Sequence, residues 1–256
     1  VSESKREALD SWGGHSCKSC TELGQNADAV ILMVFNSDNV RDVVYGEDSL
    51  LRAMSEGKSL LVMCSVGYAV LEEIAPDFAA KKIHLLDTTL MGNCEDAEAG
   101  EIHILVGACD DAFQSNEKLL RDMGKELYFV SKKPGDGQRA KSCLQALFSL
   151  TFETAFEVVT LAQSAGLNMD EMHRMFKNSP SSSPLLHISE ENVINRVYTG
   201  TKNPLSILDK DINLALELAG KYGLKLGACE GTAHVFDRAM EQFPTEDIWA
   251  AAKALK

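Results

Sequence analysis

The chain has 256 residues, which is long enough for one or two domains. Hydrophobic residues make up 45% and charged residues 25%, a composition typical of globular proteins. A predominantly disordered chain is excluded, because there is ample apolar material for a core. The formal charge of −13 argues against nucleic acid or an anionic membrane surface as a partner, since both require a basic surface.

The first half alternates short apolar runs with amphipathic stretches. The apolar runs predict strands at Ala29–Phe35, Ser59–Cys64, Ile83–Leu86, Ile102–Val106 and Leu127–Val130. The stretches around and between them predict helices at Ser19–Gln25, Val40–Val44, Leu50–Met54, Val70–Ala80 and Ala112–Met123. Apolar strands that alternate with helices indicate an α/β layer with much parallel pairing and with helices on both faces of the sheet.

The pattern changes at a polar, glycine-rich junction, Ser131–Gly137. Beyond it we find only helical patterns, at Gln138–Ala165, Asp170–Lys177, Ser189–Val197, Leu205–Tyr222, Thr232–Glu241 and Thr245–Leu255. The sequence therefore predicts an α/β domain over residues 1–131 and an all-helical domain over residues 132–256, joined by the long helix Gln138–Ala165.

Cysteine content and hydropathy indicate the cellular compartment in which the protein works. Seven scattered cysteines fit a reducing compartment, the cytoplasm or an organelle matrix, better than a disulfide framework. The pair Cys17 and Cys20 forms a CxxC without the second pair that structural zinc normally needs, so we predict no metal. Apolar runs stay well short of the roughly 20 residues of a membrane span, so no membrane is expected.

Three segments could carry chemistry, although each has a simpler interpretation when taken alone. Gly135–Lys141 opens the long helix with two glycines and a lysine, and such a segment is usually an ordinary helix start. Asp87–Gly92 follows a predicted strand, where ligands of open α/β sheets bind, but surface loops also lie there. The pair Lys210 and Asp211 is most simply a solvated helix face.

Together these segments resemble the β-hydroxyacid dehydrogenase family. Gly135–Lys141 is similar to the family's G-x-G-x-x-x-K, and Asp87–Gly100 to its substrate loop, D-A-P-V-S-G-G ending in A-x-x-G. Ala27–Val40 resembles a cofactor-contacting strand and loop, and Leu208–Ala215 a later K-D-L segment. The resemblance implies a Rossmann-type domain, a long interdomain helix and a helical C-terminal domain.

The resemblance also implies residue roles. Lys141 would be the general acid/base, exchanging a proton with the substrate oxygen while NAD or NADP exchanges the hydride. The positions that match the family's substrate contacts are Met91, Gly92, Asn93 and Gln145. The positions that match its cofactor contacts are Val34, Phe35, Asn39, Val66 and Lys210. The implied partners are a small hydroxy acid or aldehyde acid and a second copy of the chain, in a homodimer or higher homo-oligomer.

Several positions depart from the family pattern. Met91 replaces a serine and cannot donate a hydrogen bond to a carboxylate, Asn93 replaces a glycine, and Val66 replaces a threonine. The family's asparagine pair after the lysine reads Leu144 and Gln145, and Gln145 is one methylene longer than asparagine. In addition, Ser2–Leu9 resembles the stretch after the family's second strand, so we expect the first β-α-β unit with its G-x-G-x-x-G, roughly 30 residues, to be missing from the Rossmann-type domain. The position that distinguishes NAD from NADP would lie at or before Val1.

The sequence favours an NAD(P)-dependent oxidoreductase acting on a small 3-hydroxy acid or semialdehyde. The alternative is a non-catalytic scaffold or regulator on the same fold, which the changed substrate loop would suit. An imine or related reductase is a third possibility, but an alcohol–aldehyde couple explains Lys141 better.

Overall fold

A computed structural model describes residues 3–255. The chain divides into two compact units, Val1–Lys141 and Ser142–Lys256. The division falls ten residues beyond the change of pattern at residue 131, because the first turns of a long helix belong to the first unit. The boundary between functional domains at 131/132 stays a prediction.

The first unit alternates helices with strands. Its strands within residues 3–255 are β1 (Ala29–Leu32), β2 (Ser59–Val62), β3 (His84–Asp87), β4 (Leu90–Met91), β5 (His103–Gly107) and β6 (Glu126–Ser131). Its helices are α1 (Glu3–Ser11), α2 (Cys20–Asn26), α3 (Ser37–Tyr45), α4 (Leu50–Ala53), α5 (Tyr68–Ala80), α6 (Cys94–Glu98) and α7 (Asp110–Met123), and α8 (Asp136–Ser164) begins in this unit. The α/β class is confirmed.

The sheet is mixed rather than fully parallel. β1, β2 and β3 pair parallel in that order, and β5 pairs parallel with β6. β5 runs antiparallel to β4, and it meets β3 in a single antiparallel pair, Asp87 with Gly107. The sheet therefore changes strand direction at Asp87, the last residue of β3.

Apolar side chains cover both faces of this sheet, as the sequence predicted. Successive residues of a strand point to opposite faces. Accordingly Leu60 and Val62 of β2 belong to one buried cluster with α3 and α5, whereas Leu61 belongs to a second cluster with Ile104 and Val106 of β5. All five side chains are fully buried.

The second unit contains only helices in the part that the structure describes. They are the rest of α8, α9 (Met169–Asn178), α10 (Pro184–Ile194), α11 (Leu205–Lys221), α12 (Gly227–Gln242) and a terminal 3₁₀ helix (Ile248–Leu255). Trp249 is 1% exposed and packs edge-on against Phe152 and Phe156 of α8, with ring centroids 5.7 and 6.3 Å away. This aromatic cluster anchors the 3₁₀ helix in the core of the unit.

Helix starts are where sequence and structure differ most. α10 begins at Pro184, five residues before the predicted Ser189, because Ser183 caps it and proline suits the first helical position. α12 begins at Gly227 rather than Thr232, and α1, α6 and β4 had no predicted counterpart. The missed elements are short or weakly apolar, so their periodicity carries little signal.

Within residues 3–255, α8 is the one helix whose length and composition would allow it to cross a membrane. Length and composition alone are weak evidence for a span. Phe156 and Val159 of this helix are fully buried against other helices of the second unit.

Candidate active site

The start of α8 is held against the sheet by a buried carboxylate. Asp87, which is completely buried, accepts hydrogen bonds from the backbone N–H groups of Gly135 and Gln138, both at 2.9 Å. The side-chain amide of Gln138 donates to the second oxygen of Asp87 at 3.1 Å. A carboxylate at a helix N-terminus also interacts favourably with the helix dipole. The position of the α8 N-terminus is therefore fixed by the last residue of β3.

Gln138 extends this network to the loop after β2. Its Nε2 donates to the Cys64 carbonyl at 2.9 Å, and its Oε1 accepts from the backbone N–H groups of Val66 and Gly67 at 3.1 and 3.3 Å. A single side chain, 2% exposed, thus joins the ends of β2 and β3 to α8. Such a fully satisfied buried network favours one rigid arrangement.

Two opposing effects act on the Asp87 carboxyl. Burial raises its pKa, and hydrogen bonds from Gln138, Gly135 and Gly137 oppose that rise because they stabilise the ionised form. Burial is the larger effect, so the pKa is raised from 3.8 to about 7. Because several N–H groups donate to it, the Asp87 carboxyl acts as a hydrogen-bond acceptor that positions the backbone of Gly135 and Gln138.

Glycine is required where α8 meets the sheet. A Cβ on Gly137 would lie 2.9 Å from the carboxylate atoms of Asp87. A Cβ on Gly107 would lie 2.6 Å from the Lys133 carbonyl oxygen. Both separations are shorter than real Cβ contacts, so each glycine allows a close approach that any other residue would prevent.

Lys141 lies one helical turn beyond this clamp. It is 8% exposed, which is unusual for a lysine. Because α8 is anchored at Gly135 and Gln138, the Lys141 backbone has a defined position relative to the ends of β2 and β3.

In the second unit, Gln145 and Lys210 meet through Asp211. Gln145 Nε2 donates to Asp211 Oδ2, and Lys210 Nζ lies 3.5 Å from Asp211 Oδ1. Asp211 is 2% exposed, so this segment is not the solvated helix face that its sequence suggests when taken alone. The Gln145 Oε1 atom is buried without a hydrogen-bond partner. Lys141 and Gln145 are four residues apart in α8 and so share a helix face.

The loop that contains the predicted substrate contacts is shaped by a helix cap. Gly92 has φ of +139°, which favours glycine. Asn93 caps α6: its Oδ1 accepts from the N–H groups of Glu95 and Asp96, and its own N–H donates to Asp96 Oδ2 at 2.8 Å. Met91 ends β4 and is partly exposed. Gly92 and Asn93 are thus ordered, but the Asn93 N–H already has an acceptor within the loop.

The predicted cofactor residues of the first unit lie at the carboxyl ends of β1 and β2. Val34 and Phe35 follow β1, and Phe35 is 56% exposed. Asn39 lies in the first turn of α3, where its N–H donates to Asn36 Oδ1. Val66 follows β2, but its side chain is 3% exposed, and its carbonyl accepts from Ser37 Oγ at 2.6 Å.

The carboxyl ends of β1 and β2 lie at one edge of the sheet. Parallel strands place their carboxyl ends together, and open α/β sheets bind ligands there. The N-termini of α3 and α5 follow the two loops, and helix N-termini favour anionic groups. The apolar side chains of Met33 and Phe35 are exposed at this edge. The remaining predicted cofactor residue, Lys210, lies on α11 in the second unit.

Asp87 and Gln138 are organising residues that the sequence interpretation did not single out. Their signals were weak: an acid at the end of a predicted strand, and a glutamine directly after the second glycine of the helix start. Neither signal reveals that the two side chains bond to each other.

Comparisons with known proteins agree with this geometry. Residues 1–131 match the family model of the NAD binding domain of 6-phosphogluconate dehydrogenase. Residues 135–255 match the model described as NAD-binding of NADP-dependent 3-hydroxyisobutyrate dehydrogenase.

Similar proteins include dehydrogenases and reductases of small acids. An L-threonate dehydrogenase of Escherichia coli (strain K12) is 24% identical over 253 residues, covering 91% of this chain and 82% of the relative. A 2-hydroxy-3-oxopropionate reductase of the same strain is 27% identical over 221 residues, covering 86% and 75% of the two chains.

Solved structures share the fold. The 3-hydroxyisobutyrate dehydrogenase from Salmonella typhimurium has a TM-score of 0.86 at 24% identity and covers 98% of this chain and 88% of its own. The structure of the Mycobacterium tuberculosis 3-hydroxyisobutyrate dehydrogenase with L-serine has a TM-score of 0.89 at 17% identity and covers 99% of this chain and 88% of its own. An imine reductase from Myxococcus stipitatus reaches 0.65 at 17% identity, with coverages of 100% and 89%.

Both family models describe binding of a nicotinamide dinucleotide, so the cofactor is NAD or NADP. The chain belongs to the β-hydroxyacid dehydrogenase family of NAD(P)-dependent dehydrogenases and reductases.

Proposed function

We propose that the protein transfers a hydride between NAD(P) and a small 3-hydroxy acid or its semialdehyde, with Lys141 as the general acid/base. The observation that carries this proposal is the Asp87–Gln138 clamp, which anchors the start of α8 and leaves Lys141 buried one turn further on. A general acid must be held within hydrogen-bond reach of the atom that it protonates. The clamp supplies that rigidity.

The protein's own groups would handle the proton and the orientation. When bound, the nicotinamide supplies or accepts the hydride. In the reducing direction the Lys141 ammonium donates a proton to the substrate oxygen as that oxygen gains negative charge; in the oxidising direction the amine accepts it. An ammonium close to the developing alkoxide also stabilises it electrostatically, more effectively where water is excluded.

Gln145 is the candidate for orienting the substrate hydroxyl. Its Nε2 is engaged by Asp211, and its Oε1 is buried without a donor. A substrate hydroxyl could donate to that oxygen and satisfy it. Lys210, next to Asp211, would contact the cofactor in the role that the family resemblance gives it.

The substrate's acid group would be held differently from the family pattern. The Met91 side chain cannot donate a hydrogen bond, and its backbone belongs to the β4–β5 ladder. The Asn93 N–H is bound to Asp96, so we assign the carboxylate contact of this loop to the Gly92 N–H. The acidic first turn of α6, with Glu95 and Asp96, adds negative charge nearby. We infer that this loop binds a carboxylate weakly, and that the preferred substrate is recognised mainly through its hydroxyl end.

Enzyme assays distinguish this proposal from a non-catalytic scaffold. Purified full-length protein is assayed with NAD and with NADP against L-threonate, 3-hydroxyisobutyrate and 2-hydroxy-3-oxopropionate, and cofactor binding is followed by calorimetry. Lys141→Ala should lower kcat by about 10²–10⁴-fold while cofactor affinity is preserved. Lys133→Ala, in the exposed loop before α8, is the matched control and should behave like the unmodified protein.

Three results would overturn the proposal. Absence of dinucleotide binding would favour the scaffold, because the fold would then lack its cofactor. Turnover that persists in Lys141→Ala would remove the lysine from the mechanism. Cofactor binding without oxidation of any acid tested, combined with imine reduction, would favour the third alternative.

We also propose a homodimer or higher homo-oligomer in a reducing compartment such as the cytoplasm. Leu147 and Leu161 on α8 are 58% and 69% exposed, which is apolar surface that a second copy could cover. In the part of the chain that the structure describes, cysteines 17, 20, 64, 94, 109, 143 and 229 form no disulfides. Light scattering of the eluting protein would test the oligomeric state, and a monomeric mass would refute it.

A further inference from the structure

Two histidines and a glutamate converge between α9 and α10 in the second unit. His173 lies on α9, and His187 and Glu190 lie on α10. One ligating atom from each residue can be chosen so that all three lie within 4.8 Å of one another. His173 Nδ1 is 2.7 Å from Glu190 Oε2, and the two imidazole rings are 5.8 Å apart in an edge-on arrangement.

The local sequence explains why these groups meet. Ser183 caps α10, and its Oγ accepts the Leu186 N–H. His187 and Glu190 are three residues apart and therefore share one face of α10. The loop between the helices also contributes a polar contact, because Ser182 Oγ lies 3.0 Å from His187 Nε2.

Two atoms of this cluster are buried without hydrogen-bond partners. Glu190 is 1% exposed, and its Oε1 makes no hydrogen bond, although its Oε2 contacts His173. His187 Nδ1 is likewise buried and unpartnered. Leaving such buried polar atoms without partners is unfavourable.

Protonation of His173 would satisfy only half of this cluster. An imidazolium at His173 would form an ion pair with Glu190 Oε2, but Glu190 Oε1 and His187 Nδ1 would remain unpartnered. A cation placed among the three side chains can be reached by the lone pairs of both unpartnered atoms, Glu190 Oε1 and His187 Nδ1.

We propose that His173, His187 and Glu190 bind a divalent transition-metal ion, with Zn²⁺ as the best match. Imidazole nitrogen and carboxylate oxygen are its usual ligands besides cysteine, at about 2.0–2.2 Å. Tetrahedral ligand atoms at such distances lie about 3.3 Å apart. Binding would thus open the 2.7 Å contact between His173 and Glu190 slightly and draw the third ligand inwards.

The surroundings suit such a site. With metal on Nδ1, the His187 Nε2–H donates to Ser182 Oγ, which fixes the tautomer as outer-shell partners of metal-bound histidines do. The His173 side chain is 48% exposed, so water can reach a fourth coordination position. The Glu190 side chain is only 2% exposed and supplies the negative charge.

The ion would connect α9 to α10 across the loop of residues 179–183. That loop borders a groove of about 520 Å³ that is lined by side chains of α8, α9 and α10 and by the loop serines. Because the ion binds the folded arrangement and joins two helices, it stabilises this part of the second unit. This role is structural and goes beyond the proposed dehydrogenase activity.

The test is a titration of tag-free, chelator-treated protein with ZnCl₂ by calorimetry, and with CoCl₂ by visible absorption. The expected result is one saturable site with the absorption of four-coordinate Co²⁺, and a higher Tm in the presence of Zn²⁺. Ser182→Ala should weaken binding by about 10–100-fold. His187→Ala and Glu190→Gln should weaken it at least as much.

Two further variants distinguish loss of metal binding from loss of folding. His234→Ala removes an exposed histidine elsewhere in the same unit and should bind as the unmodified protein does. His173→Ala removes the exposed ligand, so it provides a variant that should fold even if His187→Ala does not. Zinc uptake that is unsaturable, or equal in His173→Ala, Glu190→Gln and His234→Ala, overturns the proposal. A Tm that does not rise in the presence of Zn²⁺ also overturns it.

Discussion

Glu153, on α8, should make the second unit less stable as the pH rises towards neutrality. Its side chain is buried, and both carboxylate oxygens lack hydrogen-bond partners. Burial, with a smaller contribution from the negative charge of Glu157, raises its pKa from 4.5 to about 7, whereas Arg238 acts in the opposite direction.

The sign and size of the effect follow from proton linkage. Because the folded-state pKa is raised, the folded protein holds this proton more tightly than the unfolded chain does. Stability is therefore unaffected by this group below about pH 4.5 and falls as the pH rises to about 7. Each pKa unit is worth about 1.4 kcal/mol, so the loss is on the order of 3 kcal/mol at pH 8.

Urea denaturation of Glu153→Gln at pH 5 and pH 8 tests this reasoning. The chain has two tryptophans, Trp12 and the buried Trp249, so a Trp12→Phe background makes fluorescence report on the second unit alone. Some of this loss is already present at pH 5, which lies above the unfolded pKa of 4.5. From pH 5 to pH 8, the free energy of unfolding of Glu153→Gln should therefore rise relative to that of the parent by about 2.5 kcal/mol.

Glu157→Gln is the matched control for the Glu153 measurement. It removes an exposed carboxylate four residues further along the same helix, so its effect should be much smaller. Parallel pH dependences for the parent and Glu153→Gln would refute the assignment of a raised pKa to Glu153.

Two further substitutions test the geometry of the first unit. Gly137→Ala should destabilise the protein by about 1–3 kcal/mol and lower kcat, because its Cβ would press against Asp87; denaturation and turnover are both measured. Gly231→Ala is the control, because Gly231 lies in the interior of α12 with no atom near a Cβ at that position. It should be neutral or should stabilise the protein by up to about 1 kcal/mol. An equal loss of stability in both variants would contradict the steric argument. Asn93→Ala should cost about 1 kcal/mol by removing the cap of α6, and should increase amide exchange in the first turn of α6, including Asp96; unchanged exchange there would show that the cap does not order this loop.

The candidate site was only partly predictable from the sequence. The motif Gly135–Lys141 located the helix start, since two glycines before a helical pattern are a local signal. The clamp itself was not predictable, because Asp87 and Gln138 are 51 residues apart and are joined only when β3 ends beneath α8. Burial of Asp211 was also hidden, since the two residues before it, Asp209 and Lys210, are charged.

The His173, His187 and Glu190 cluster shows the same limit. The sequence interpretation considered metal only at Cys17 and Cys20, where ligand spacing is visible in the chain. The cluster draws on two helices, and its ligands acquire a shared position only through the packing of α9 against α10.

The sequence by itself determined the alternation of strands and helices, the change to an all-helical second half and the family. These features depend on local apolar periodicity and on motifs that are contiguous in the chain. Tertiary structure decided the mixed direction of the sheet, because β5 joins β3 through the single pair Asp87 and Gly107. It also decided which polar groups are buried and paired. Burial and pairing depend on residues distant in sequence, and their energies come from desolvation and hydrogen-bond geometry that only the folded chain defines.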